Sequence, residues 1–123
     1  MLKLMKFTEE HAKDTIQQGY FPDSLLNSAE NLAIILTQDW CPQWKYMEQA
    51  LNQLARAEEP RYIDIFAYVG IYNLMNCYSE FMNFKENVLG NQFIPYICYY
   101  KEGKLIGQSN FVAGLQFLAK FTD

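Results

Sequence analysis

Apolar and polar positions alternate, cluster into continuous runs or recur at helical spacing along this chain, and each pattern predicts an element. Leu2-Lys3-Leu4-Met5-Lys6 breaks its apolar letters with lysines, as a short edge strand does. Thr8 followed by Glu9 and Glu10 predicts a helix start and Gly19 its stop, with Ala12 and Ile16 as the apolar stripe. Tyr20-Phe21-Pro22-Asp23 is turn-like, and Ser24 to Asn31 fits a short helix or a loop. Leu32 to Thr37 is a near-continuous apolar run, the pattern of a strand buried on both faces. Residues 41 to 57 then repeat Trp44, Met47, Leu51 and Leu54 at helical spacing, with Pro60 as the predicted end. Tyr62 to Val69 returns as a strand, and a strand-helix-strand unit of this length predicts parallel pairing.

The remainder is less regular. A helix is predicted near residues 76 to 88, where the apolar letters satisfy neither period throughout. Ile94 to Tyr100 and Lys104 to Gln108 flank Lys101-Glu102-Gly103 and read as a β-hairpin. Asn110 is the predicted cap of a last helix whose buried stripe is Val112, Leu115, Leu118 and Ala119.

Composition sets bounds on this picture. The 123 residues fit one domain, with nine Phe and nine Tyr to fill its core. A net charge of −4, with no run of Lys or Arg, argues against nucleic acid as a partner. The apolar runs fall far short of the ~20 residues of a membrane span. The first residues are not expected to act as a secretory signal, because Lys interrupts them and acidic residues soon follow. Three cysteines, Cys41, Cys77 and Cys98, leave at least one thiol unpaired and suit a reducing compartment. The expectation is therefore a cytoplasmic domain without membrane contact. His11 is the only histidine, has no ligand set at metal spacing, and reads as a surface residue on a first helical turn. Glu9-Glu10 and Glu58-Glu59 read as solvated charges, and no metal or bound cofactor is expected.

The chemistry-bearing feature is Trp40-Cys41-Pro42-Gln43-Trp44, between a buried strand and a helix. Cys41 falls at or next to the helix N-cap and Pro42 at the first helical position. There, unsatisfied N–H groups and the helix dipole favour a thiolate. Lys45 would assist and Asp39 oppose. The alternative is a half-buried cysteine kept for shape between two tryptophans.

Three segments carry a family resemblance. Trp40-Cys41-Pro42-Gln43-Trp44-Lys45 resembles the Trp-Cys-Gly-Pro-Cys-Lys turn of thioredoxins. Phe93-Ile94-Pro95-Tyr96 resembles that family's Ile-Pro, whose proline is cis and faces the active thiol. Tyr100-Lys101-Glu102-Gly103-Lys104 resembles its aromatic-Lys-x-Gly hairpin. The match spans most of residues 31 to 121. It implies an α/β fold, a thioredoxin-like three-layer α/β/α sandwich with a mixed central sheet and an N-terminal βα extension.

The departures bear on function. Trp44 stands where a thioredoxin has its resolving cysteine, and Leu32 to Leu36 holds no carboxylate to match the family's buried acid. The connection from Val69 to Pro95 is also longer than in compact thioredoxins. A dithiol reaction across the turn is thus excluded. One expectation is monothiol exchange: Cys41 as nucleophile, Lys45 favouring its thiolate, Trp40, Trp44, Ile94 and Pro95 receiving a protein or peptide disulfide, and glutathione as co-substrate. Cys77 is the alternative resolving thiol, and Cys98 reads as core. The other expectation is a non-catalytic module that binds a peptide or subunit, or a second copy of itself, through the tryptophans and the aromatic segment Gly70 to Phe84.

Overall fold

Every residue of strand β2 (Asn31–Thr37) is buried, which puts it at the middle of a five-stranded sheet of order β1-β3-β2-β4-β5. The computed structural model describes residues 1–57 and 63–122. Strands β1 (Leu2–Lys6) and β3 (Ile65–Ile71) run parallel to β2, with β1 on the outer edge. Strands β4 (Tyr96–Lys101) and β5 (Lys104–Ser109) complete the sheet antiparallel. The two-residue period of β2 divides its side chains between two cores: Leu32, Ile34 and Leu36 on one face, Ala33 and Ile35 on the other.

The first core is covered by α1 (Glu9–Gln18), α2 (Asp23–Leu26) and α4 (Tyr78–Asn87). The second is covered by α3 (Pro42–Arg56) and α5 (Gly114–Ala119). This is the expected α/β/α sandwich with a mixed sheet and a leading βα pair. Gly19 ends α1 at φ +87°, a left-handed conformation that costs glycine little. Glu102 and Gly103, both at positive φ, close the β4–β5 hairpin.

Several sequence expectations are corrected. Strand β3 runs to Ile71, two residues past the expected end at Val69, and a 3-10 turn (Tyr72–Leu74) precedes α4. The predicted helix stop at Pro60, the strand start at Tyr62 and the Glu58-Glu59 pair lie outside the described residues. Asn110 does not cap α5; Ala113 holds the N-cap position, and the Gln116 side chain accepts its N–H at 3.0 Å. Val112 is buried and Leu118 half-buried as expected, but the rest of the stripe moves with that start. Phe117 and Phe121, one helical turn apart, are buried, whereas Leu115 is 68 % exposed and Ala119 is exposed.

His11 is also not a bare surface residue. Its N–H donates to Thr8 Oγ1 at 3.1 Å and its Nδ1 accepts from the Thr8 N–H at 2.9 Å, a reciprocal cap on α1. The half-buried ring packs against Phe7 and Tyr68.

Candidate functional site

Strand β2 ends at Thr37 and α3 begins at Pro42, so Gln38 to Cys41 form the turn at the C-terminal end of the parallel strands. That is where α/β sheets place their sites. Cys41 is the N-cap of α3 and Pro42 follows at the first helical position, as the sequence predicts. The Cys41 N–H donates to Gln38 O at 3.2 Å, and its carbonyl receives Lys45 N–H at 3.1 Å. No side chain caps α3, so its first-turn N–H groups have no side-chain partner. Cys41 is 4 % exposed, and its thiol faces the Ile94 carbonyl at 3.9 Å. The Ile94–Pro95 peptide bond is cis. The turn and the Ile-Pro segment, 53 residues apart, are thus brought into contact.

The other predicted site residues divide. Trp40 is 60 % exposed, and its indole N–H donates to Gln38 Oε1. Lys45 is exposed on the first turn of α3 and forms no ion pair among the described residues. Trp44 is 2 % exposed in the core with Met47 and Leu51, so it offers no surface to a peptide. The i, i+3, i+7 spacing of Trp44, Met47 and Leu51 puts all three on the face α3 turns to the sheet.

Cys77 is corrected more sharply. It occupies the N-cap position of α4 and packs in the core on the opposite sheet face from Cys41, so the structure does not bring the two thiols together. Burial, with Glu9 nearby, raises the Cys77 pKa. Cys98 is core as expected, on the same side as Cys77, and burial pushes its thiol up to about 11. All three cysteines are free. The aromatic segment 70 to 84 is not a surface either: Tyr72, Phe81 and Phe84 are buried, and only Leu74, at 68 %, stands out among its large side chains.

Several contacts of the site were not anticipated. Gln38 is buried and ties the turn to the segment after β3: its Nε2 donates to Tyr72 Oη at 3.2 Å, and its Oε1 accepts from Tyr78 Oη at 3.4 Å. Asp39 and Asn73 clasp the same two segments, with Asp39 N–H donating to Asn73 Oδ1 at 3.0 Å and Asn73 Nδ2 to Asp39 Oδ1 at 2.7 Å. Two polar residues between a buried strand and an exposed tryptophan were the available signal. Phe93, 70 % exposed, adjoins Ile94 as Trp40 adjoins Cys41. Lys85, fully buried in α4, donates from Nζ to Asn91 O at 2.9 Å and Phe93 O at 2.7 Å. Desolvation lowers its pKa to about 8, against a smaller opposing pull from Glu86.

Among the described residues no group of three His, Cys, Asp or Glu side chains could hold a metal ion, and no helix is long and apolar enough to cross a membrane. No protein-family model matches the sequence, nor does any curated protein. Solved structures do. Thioredoxin O1 of Arabidopsis thaliana superposes with a TM-score of 0.62 at 16 % identity, covering 98 % of this chain and 96 % of its own. Thioredoxin f of spinach chloroplasts gives 0.59 at 17 % identity, with 94 % and 81 % covered. A thioredoxin mutant of Halobacterium salinarum gives 0.59 at 10 % identity, with 99 % and 91 % covered. The chain has the thioredoxin fold. At these identities the likeness extends to the architecture and not to the chemistry.

Proposed function

We propose that this protein carries out monothiol thiol-disulfide exchange with Cys41 as nucleophile. One observation carries the reading: a free thiol at the N-cap of α3, facing the Ile94 carbonyl across the turn. In the first step the Cys41 thiolate attacks one sulfur of a substrate disulfide, forming a mixed disulfide and releasing the other sulfur as a thiolate. A second, external thiol, of which glutathione is the type, then attacks that bond. It leaves joined to the substrate sulfur and returns Cys41 as thiolate. Electrons balance as pure exchange, and Trp44 has no part beyond packing. The first-turn N–H groups of α3 have no side-chain cap, and Lys45 is exposed on the same turn. Trp40 and Phe93 form the apolar rim that an incoming polypeptide or glutathione disulfide meets.

The test is the pH dependence of Cys41 alkylation by iodoacetamide, with Cys41→Ser as control, beside glutathione-coupled reduction of a disulfide substrate. An alkylation midpoint at that of an ordinary free thiol, with no turnover, would sink the proposal.

A second reading keeps the fold and drops the reaction: a binding module whose contact surface is Trp40 and Phe93. It is favoured by the depth of Cys41, which is 4 % exposed while the two rings beside it are 60 % and 70 % exposed. Trp40→Ala abolishes partner capture on this reading while Cys41→Ser spares it; the opposite pattern returns the thiol to the centre.

A further inference from the structure

Lys85 has no accessible surface and no ion pair among the described residues. Burying an ammonium without a counter-ion costs free energy that an apolar side chain of the same length avoids, so packing alone does not account for it. Its ammonium instead meets two main-chain carbonyls, Asn91 O and Phe93 O, with the Tyr96 ring centre 5.7 Å away. Those carbonyls belong to the loop that leads directly into Ile94 and Pro95.

The same loop is held from a second direction. Asn110 donates from Nδ2 to Pro95 O at 2.9 Å and to Asn91 Oδ1 at 3.0 Å, and Asn91 Nδ2 returns a bond to Asn110 Oδ1 at 3.1 Å. Asn91 Oδ1 also accepts the Phe93 N–H at 2.9 Å. Main-chain atoms at 91, 93 and 95 are therefore each anchored by a side chain. Ile94, between two of them, has one hydrogen bond among the described residues, the one its carbonyl receives from Cys41. Its N–H has no partner among the described residues.

We propose that Lys85 is a positioning residue: with the Asn91–Asn110 amide pair it fixes the 91–95 loop so that the Ile94 carbonyl sits over the Cys41 sulfur and the Ile94 N–H is presented to the substrate backbone. The consequence for rate rests on the thiol-exchange reading; the placement does not.

Two rates separate this role from ordinary stabilisation. Native alkylation of Cys41 by iodoacetamide, read by peptide mapping, reports how well the loop covers the sulfur. Exchange of Cys41 with glutathione disulfide reports how well the loop presents substrate. Lys85→Met and Asn110→Ala should each raise the first and lower the second by about tenfold, the scale of losing about one net hydrogen bond that holds the loop. Leu25→Ala, a truncation of a buried side chain in α2, is the control for lost stability and should shift neither rate by more than about twofold.

Rates that move together in Lys85→Met and Asn110→Ala, or that move no further than in Leu25→Ala, overturn the proposal. If Lys85→Met does not fold, Asn110→Ala, at a half-buried position, decides by the same comparison. If the wild-type protein exchanges with no disulfide, the functional reading fails, and the alkylation comparison still decides whether Lys85 and Asn110 hold the loop.

Discussion

Replacing Trp44 by alanine distinguishes a core tryptophan from a binding platform, and the structure supplies the magnitude. Trp44 is 2 % exposed, so essentially all of its side-chain surface is buried against Met47, Leu51 and their neighbours. A tryptophan buries up to ~250 Å² and alanine far less, so roughly 150 Å² of apolar contact is lost. At ~25 cal/mol per Å² this is about 4 kcal/mol, inside the ~3–5 kcal/mol typical of large aromatic truncations in cores. A 123-residue domain has a total stability of about 6 to 18 kcal/mol, so Trp44→Ala should fold but be much weakened. With a urea m-value of ~2 kcal/mol/M the midpoint falls by about 2 M. Far-UV circular dichroism is the suitable probe, because the substitution removes one of the two tryptophans. A loss below about 1 kcal/mol at unchanged m would mean that the ring contributes no core packing, and a surface role for Trp44 would return.

Lys85→Met should change how stability depends on pH. The folded-state pKa of about 8 lies below the ordinary 10.5, so between these values the unfolded chain binds the proton that the folded one has released, and wild-type stability rises with pH. Relative to Lys85→Met, which has no such group, the wild type should gain up to ~3 kcal/mol from pH 7 to 10, read from urea midpoints; a flat difference refutes this. Cys98, pushed to about 11, has about one thiolate in a thousand at pH 8, so peptide mapping should find it unmodified by iodoacetamide until the protein is unfolded. Native labelling of Cys98 at the rate of a free thiol would contradict its burial. Iodide should quench the emission of Trp40 and leave a blue-shifted component from Trp44; uniform quenching of both would contradict their exposures of 60 % and 2 %.

What the sequence makes legible here follows from how strongly local chemistry constrains each element. Leu32 to Leu36 admits no face for water, so a central strand is the only economical place for it. Pro42 lacks an N–H and has a helix-ready φ, so it marks the start of α3 and places Cys41 at the cap. Residues whose placement depends on distant partners were not legible. Lys85, in an amphipathic helix, looks like a solvated cation until carbonyls six and eight residues later fold over it. Asn110 suits an N-cap equally well, and only the approach of Pro95 and Asn91 diverts it. Cys77 follows a strand that ends at the same sheet edge as β2, yet which sheet face a residue joins after a 3-10 turn is decided by core packing that no local period records.

The thiol's surroundings explain why an external partner enters the proposed reaction at both ends. On the sheet face beneath Cys41, β2 presents Ala33 and Ile35, with Thr37 on the same side by the two-residue period. Thr37 is fully buried, and its hydroxyl has no hydrogen-bond partner among the described residues. A hydroxyl there does not titrate near neutrality as a carboxylate would, so these three β2 side chains supply no proton acceptor. One turn into α3, the position that could hold a second thiol is filled by Trp44, whose burial makes it costly to replace. On the exchange reading, both the resolving thiol and the proton acceptor therefore come from solvent, and what the protein controls is access. That control lies with Trp40, anchored by Gln38, and with the 91–95 loop, anchored by Lys85 and Asn110. Variants of the Lys85 and Asn110 anchors should therefore move Cys41 alkylation and disulfide exchange in opposite directions.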